Sequence, residues 1–590
     1  MNLYDPYASE KTNQIFMLLA VFSFILQIKN LFLLKVVQPV GYIVDLYSMF
    51  PLSFYLALIS CYFIATLLVL NGKNALGTLI LSINHFEILI IPYMLKYYSM
   101  GRADDMSYIG EYLQIANSGY FSGWDIYPAS HIIGASISLV SNFDAHYTSF
   151  IIPIAFSFIF IAGIYLFSRE LFLDHCIRSL VLVSSFILYL GVYNFLNVPH
   201  ALFFSFMPLY LCYFYRYFMK HNDISHSIIL VLMTSIIPFA HPFIVFLLLV
   251  VFLFHLIPGI LTASSMEFLR IPRAKMFSFF LLVISFFSWL FYNEFLSLSF
   301  RRSYLSFIKK ISEPVFLEVA EEFGKINFGF FDYAQLLILY YGRYSIPTFI
   351  VLISAIYLYY HKNLLKTETL KNYPYLLLFY IVLLCIQLLL VFNPIITHQV
   401  DRIANLNFVV YAQVPLFACS LYLLFFNQSK SVNKMIFVCL TLSFVWSLSL
   451  FGCFDSPNVY RPNVALTYNE VYGMDWFYGV KCESSIVAVP LSQINRFHDL
   501  FGNFDADDPQ YMFPDHFGYK NNSHSTLVDI NSDLYKNSYI IILTIDELLY
   551  QKISAYRTVG RYYKEDFDRF RKDISVNKIY DSLNIGIYNV

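Results

Sequence analysis

The feature that most constrains this chain is a repeated one: apolar stretches long enough to cross roughly 30 Å of hydrocarbon recur from Ile15 to about Cys453. Lipid offers no water to satisfy exposed peptide groups, so repeated spans of this kind fold as helices. Taking each apolar run between charged breaks as one helix gives thirteen spans, near 13–34, 51–70, 76–95, 147–168, 179–197, 200–218, 227–240, 242–258, 276–295, 346–360, 374–392, 404–426 and 435–453. Composition agrees, because 58% of the 590 residues are hydrophobic and only 13% are charged, more apolar surface than one water-soluble core buries. The expected fold is a polytopic α-helical membrane protein.

After Phe454 the pattern changes. Of the chain's 77 charged residues, 31 fall in this last part. There "YNEVYGMDWFYGV" reads as a helix, "SSIVAVPL" as a strand, "SYIIILTIDELLY" as a strand into a turn, and "KIYDSLNIGIYNV" as a hairpin turning near Leu583 and Asn584. The division expected is a transmembrane domain over 1–453, with long loops at 96–146 and 296–345, followed by a soluble α/β domain over 454–590. Lys and Arg in short loops stay cytoplasmic. Every even-numbered gap is basic, from Lys73 through Arg169 and Arg178 to Lys430 and Lys434. This predicts a multi-pass cell-membrane protein with a cytoplasmic N-terminus, and with loop 96–146 and the C-terminal domain both extracytoplasmic. A net charge of −1 excludes nucleic acid as a general partner. Most cysteines lie in apolar runs; Cys453 and Cys482 could pair.

The first long loop interrupts the apolar pattern with "GRADDMSYIGEYLQIANSGYFSGWDIYPASH", residues 101–131. Met106, Ile109, Leu113 and Ala116 recur at helical spacing, with Ser107, Glu111, Gln114 and Ser118 on the other face. That predicts an amphipathic helix lying at the interface, capped by Asp104 and Asp105 and ended by Gly119. "YPASHIIGASISLV" starts a second short helix, so the loop is read as two interfacial helices with a polar seam over the mouth of the bundle.

Asp104 and Asp105 just outside an early span, then Tyr108, Gly119, and Tyr127-Pro128 leading into His131, resemble the first external loop of GT-C membrane glycosyltransferases. Protein O-mannosyltransferases and oligosaccharyltransferases are among these, and the thirteen-span count with an external C-terminal domain is similar to the oligosaccharyltransferase layout. The resemblance implies a sugar donor carried on polyprenyl phosphate or diphosphate, with an acid of this loop in catalysis, here Asp105 or, as the close alternative, Asp104.

Other polar residues fall at the same outer level: His200, His241, Arg343, and His398, Asp401 and Arg402 in "THQVDRIANLN". Ionisable groups near bilayer depth are costly unless they face a cavity or one another. The resemblance places an arginine late in the bundle near the lipid phosphate, which implies Arg402 as phosphate ligand, with Arg343 and His398 beside it. Tyr108, Glu111, Trp124, Tyr127, His131, His200, His241 and Asp401 are the expected substrate-binding set. No cofactor is assigned, and a divalent cation stays open. The function expected is a glycosyltransferase that moves a sugar or glycan from a polyprenyl-linked donor, in contact with membrane lipid, to a glycan or protein acceptor that the sequence does not identify. Its rivals are a transporter or flippase of lipid-linked glycans and an O-antigen-type polymerase or ligase built on Arg301, Arg302 and Arg343. Only His85 and Glu87 sit deep in a span.

Overall fold

The computed structural model describes residues 6–590 except 38, 40, 103, 218–223, 257–276, 310–328, 393–407, 428–430, 483–485, 490–494, 505–509, 513–516, 518, 520–524, 531–536 and 560–561. In order come α1 (Pro6–Val36), α2 (Leu52–Leu70), α3 (Asn74–Leu89), α4 (Ile91–Met94), the short strand β1 (Tyr97–Ser99), α5 (Asp104–Ser118), α6 (Pro128–Ser141), α7 (Ala145–Leu171), α8 (His175–Ser185), α9 (Pro199–Tyr215), α10 (Ile224–Ala240), α11 (Pro242–Leu256), α12 (Phe277–Tyr292) and α13 (Glu294–Lys309). Further helices cover Phe330–Leu336, Gly342–Tyr360, Tyr373–Phe392, Val410–Leu421 and Val432–Phe451.

Among the described residues six helices are long and apolar enough to cross a bilayer: Asn13–Val36, Leu52–Leu70, Ala145–Leu171, Phe330–Tyr360, Tyr373–Leu390 and Val432–Phe451. The pair α12 and α13, bent by 97°, adds a seventh if it is one broken span. The expected thirteen is not confirmed among the described residues, and part of the reason is physical. The run 179–197 is α-helical only to Ser185, with a single 3-10 turn at Gly191–Asn194, and its Val181, Val183, Leu188 and Leu190 are buried against protein. Apolar composition reports burial, and a protein interior satisfies it as well as lipid does. Likewise α10 and α11, split at His241-Pro242, are 17 and 15 residues long.

The C-terminal part is tied to the first loop at once. Strand β2 (Leu466–Thr467) pairs antiparallel with β1, Tyr97 opposite Thr467. The helix Tyr468–Val480 follows, started by a capping box in which the Thr467 N–H donates to Glu470 Oε2 at 2.8 Å. A five-stranded sheet is ordered β4–β3–β5–β7–β6, with β3 (Ile486–Val489), β4 (Gln510–Met512), β5 (Ser538–Leu543), β6 (Asn577–Asp581) and β7 (Ile585–Asn589). β3 runs parallel to β4 and β5, whereas β7 is antiparallel to β5 and β6. The segment after β5, expected as a turn, is a helix, Thr544–Lys552, because Asp546 accepts the Leu543 N–H at 2.8 Å and settles its first turn. One apolar core runs from Ala20 of α1 to Ile587 of β7 and includes Leu543 and Ile585, so the sheet and the helical bundle share an interior. Buried Cys453 and exposed Cys482 are free thiols and do not pair with each other.

Candidate active site

Helix α5 holds the two aspartates in its first turn, at the end where a helix favours negative charge. They are not flanking caps, which corrects that expectation. The polar face of α5 is divided: Ser107 and Glu111 are buried, whereas Gln114 is half-buried and Ser118 exposed. The cover is the short helix Asn495–Leu500. Arg496 of that helix donates from Nη2 to Asp104 Oδ1 at 2.9 Å and from Nη1 to Ser107 Oγ at 2.9 Å, and Ser107 Oγ donates to Asp499 Oδ2 at 2.6 Å. Gly110 permits the approach, since a Cβ there would stand 1.8 Å from the Asp499 carbonyl oxygen. Just before α5, Arg102 donates to Glu470 at 2.6 Å and to the Ala465 carbonyl at 3.1 Å, so loop and C-terminal part are joined twice.

Asp105 is 2% exposed. Its Oδ2 accepts from Ser99 Oγ at 3.2 Å, and Oδ1 is buried with no hydrogen-bond partner. Burial pushes the carboxyl up to about 7 against the pull of the Ser99 hydroxyl and the nearby Asn197 and Gly101 peptide groups, with the Asp104 charge adding to the rise. Gly101 lets the carboxylate pack on the chain, because a Cβ there would lie 2.5 Å from Asp105 Oδ2.

Two turns further along α5 the side chains meet α6. His131 Nδ1 lies 2.7 Å from Asp125 Oδ2, while Asp125 Oδ1 accepts the Tyr127 N–H at 2.8 Å. Asn293 Nδ2 fixes the same turn by donating to the Asp125 carbonyl at 3.1 Å. Glu111 accepts from the Ser122 hydroxyl and, at 3.2 Å, from its N–H, and burial raises its pKa. One ligand atom from each of Glu111, Asp125 and His131 lies within 4.8 Å of the others, so these three could hold a metal ion. The Tyr108 ring lies 4.7 Å from His131, Tyr127 stacks on His241 at 4.5 Å, and His241 is 5.4 Å from His200. Tyr108, Tyr127 and Tyr193 pack in one small cluster, which places α5, the start of α6, the 193–200 turn and the α10–α11 junction around one point.

The structure thus gathers Asp104, Asp105, Tyr108, Glu111, Tyr127, His131, His200 and His241. Trp124 packs on Phe504, 5.3 Å between rings. Arg343 is buried with its guanidinium against Gly191 and 5.0 Å from the Tyr344 ring, donating to the Gly452 carbonyl at 3.1 Å, and none of its described bonds reaches Asp105 or His131. His398, Asp401 and Arg402 lie outside the described residues. Sequence reasoning passed over Asp125, although its spacing to Tyr127 and His131 was a signal. It also passed over Arg496, Asp499 and Asn197, which carried none.

No protein-family model matches the chain, and no curated protein does. Among solved structures, the oligosaccharyltransferase of Archaeoglobus fulgidus, crystallised with Zn and sulfate, matches with a TM-score of 0.47 and 10% identity, over 86% of this chain and 73% of that one. A likeness at that level assigns neither family nor chemistry.

Proposed function

We propose that the chain is a membrane glycosyltransferase, moving a sugar or glycan from a polyprenyl-phosphate-linked donor to an acceptor at the extracytoplasmic face, with Asp105 as general base. The observation that carries this is a buried carboxyl group with a pKa of about 7, on the same helix that presents Tyr108 to His131. The resemblance of Asp104, Asp105, Tyr108, Tyr127 and His131 to the first loop of GT-C enzymes supports the same reading.

In the step proposed, Asp105 Oδ1 takes the proton of the acceptor hydroxyl while that oxygen bonds to the anomeric carbon. The bond from that carbon to the phosphate oxygen breaks, and its electron pair leaves on the phosphate. Arg402 is the proposed ligand for the phosphate charge, its planar guanidinium suiting phosphate oxygens. Asp104 is given a different role, since it is held by Arg496 and positions the turn.

The test is to give the purified protein in lipid nanodiscs a radiolabelled polyprenyl-phosphate hexose, and in parallel a polyprenyl-diphosphate oligosaccharide, together with membrane extract as acceptor source. Consumption of one donor with release of its polyprenyl carrier is expected. Intact donors, crossing a proteoliposome bilayer without being cleaved, would replace this reading with a transporter.

A further inference from the structure

Helices α1, α2 and α3 pack on one another around a seam of buried polar side chains unrelated to the site above. On α1, Ser23, Gln27 and Asn30 share one face; on α3, Asn84 and Glu87 do. Gln27, Asn30, Asn84 and Glu87 are each 2% exposed or less. The amides spend their N–H groups on neighbouring backbones: Gln27 Nε2 on the Ile80 carbonyl at 2.8 Å, Asn84 Nδ2 on Leu58 at 3.2 Å, and Asn30 Nδ2 on Phe54 at 3.4 Å. Those bonds fix which end of each amide is oxygen. Left over are Gln27 Oε1, Asn30 Oδ1 and Asn84 Oδ1, buried without a hydrogen-bond donor, and the buried Glu87 carboxyl group, which lies beside the Asn30 amide and faces no cation among the described residues. His85 is engaged elsewhere, its Nε2 2.8 Å from Ser157 Oγ.

We propose that Glu87, with Asn30, Asn84 and Gln27, forms a binding site for one Na⁺ ion between α1, α2 and α3. A buried carboxylate without a counter-charge is strongly disfavoured, so Glu87 takes up either a proton or a cation. A proton on Glu87 supplies one O–H, which reaches one amide oxygen at most and leaves two unmet. A hard cation accepts several oxygens at once, and the single negative charge suits a monovalent one. The site goes beyond the transfer reaction proposed above and does not depend on it.

The full chain in detergent is unfolded thermally across a series of NaCl, KCl and choline chloride at constant ionic strength, and retention of ²²Na⁺ is measured on the same preparation. Expected are a saturable rise in Tm with NaCl that choline does not give, retention of about one ²²Na⁺ per chain, and loss of both in Glu87→Gln. Equal response to NaCl and choline chloride overturns the proposal. So does a Glu87→Gln protein that binds ²²Na⁺ as the wild type does, or a wild type stabilised by acid but not by Na⁺. Should Glu87→Gln fail to fold, the wild-type ²²Na⁺ measurement decides alone, and absence of retention overturns the site.

Discussion

A carboxyl group taken out of water holds its proton more tightly, and for Asp105 this gives stability and activity opposite pH dependences. Its folded pKa of about 7 lies above the usual value near 3.8, so the folded state binds the proton that the unfolded state releases. Stability attributable to Asp105 is therefore greatest below about pH 4, falls as pH rises towards 7, and is level above that. A base must be ionised, so kcat/KM rises over the same range and levels above about 7. Asp546 and Glu111 are raised by burial too, so the quantity to measure is the difference between wild type and Asp105→Asn. Thermal unfolding from pH 4 to 8 is expected to show the variant gaining on the wild type as pH increases. A constant gap would mean that Asp105 ionises normally. The aspartate pair was legible in the sequence because its context is local; its neighbours were not, since Arg496 reaches Asp104 across 392 positions.

Helix α5 was legible as an element, its apolar spacing running through the observed Asp104–Ser118. Which face is wet was not, because the cover comes from a helix nearly four hundred residues later. Gly110 tests that cover. On helix propensity alone, Gly110→Ala would stabilise by about 1 kcal/mol. The 1.8 Å approach of the Asp499 carbonyl, which is backbone and cannot rotate away, reverses the sign. Separation of the helix Asn495–Leu500 from α5 is expected, with a net loss of about 1–3 kcal/mol typical of overpacking. Thermal unfolding and faster proteolysis near Arg496 would register it; an unchanged or raised Tm would show that the cover is not tightly docked.

At the scale of the molecule, the apolar runs announced helices long and apolar enough to cross a bilayer, six of them among the described residues, but could not say which runs pack inside the protein. Those around 179–197 serve a protein interior. The change of character after Phe454 was equally plain, whereas the shared core was not, since Leu543, Ile585 and Ile587 look like any sheet residues until they are seen against the bundle. That continuity brings Arg496 and Glu470 onto the loop that carries Asp105. The central claim, that this assembled loop performs sugar transfer through Asp105, is tested most directly by initial rates from a polyprenyl-linked donor at pH 8. Wild type, Asp105→Asn and Asp104→Asn are compared, with melting temperatures on the same preparations. The prediction is a loss of about 10²-fold or more in Asp105→Asn at an unchanged or higher Tm, and a much smaller loss in Asp104→Asn. A folded Asp105→Asn protein turning over at the wild-type rate would contradict it.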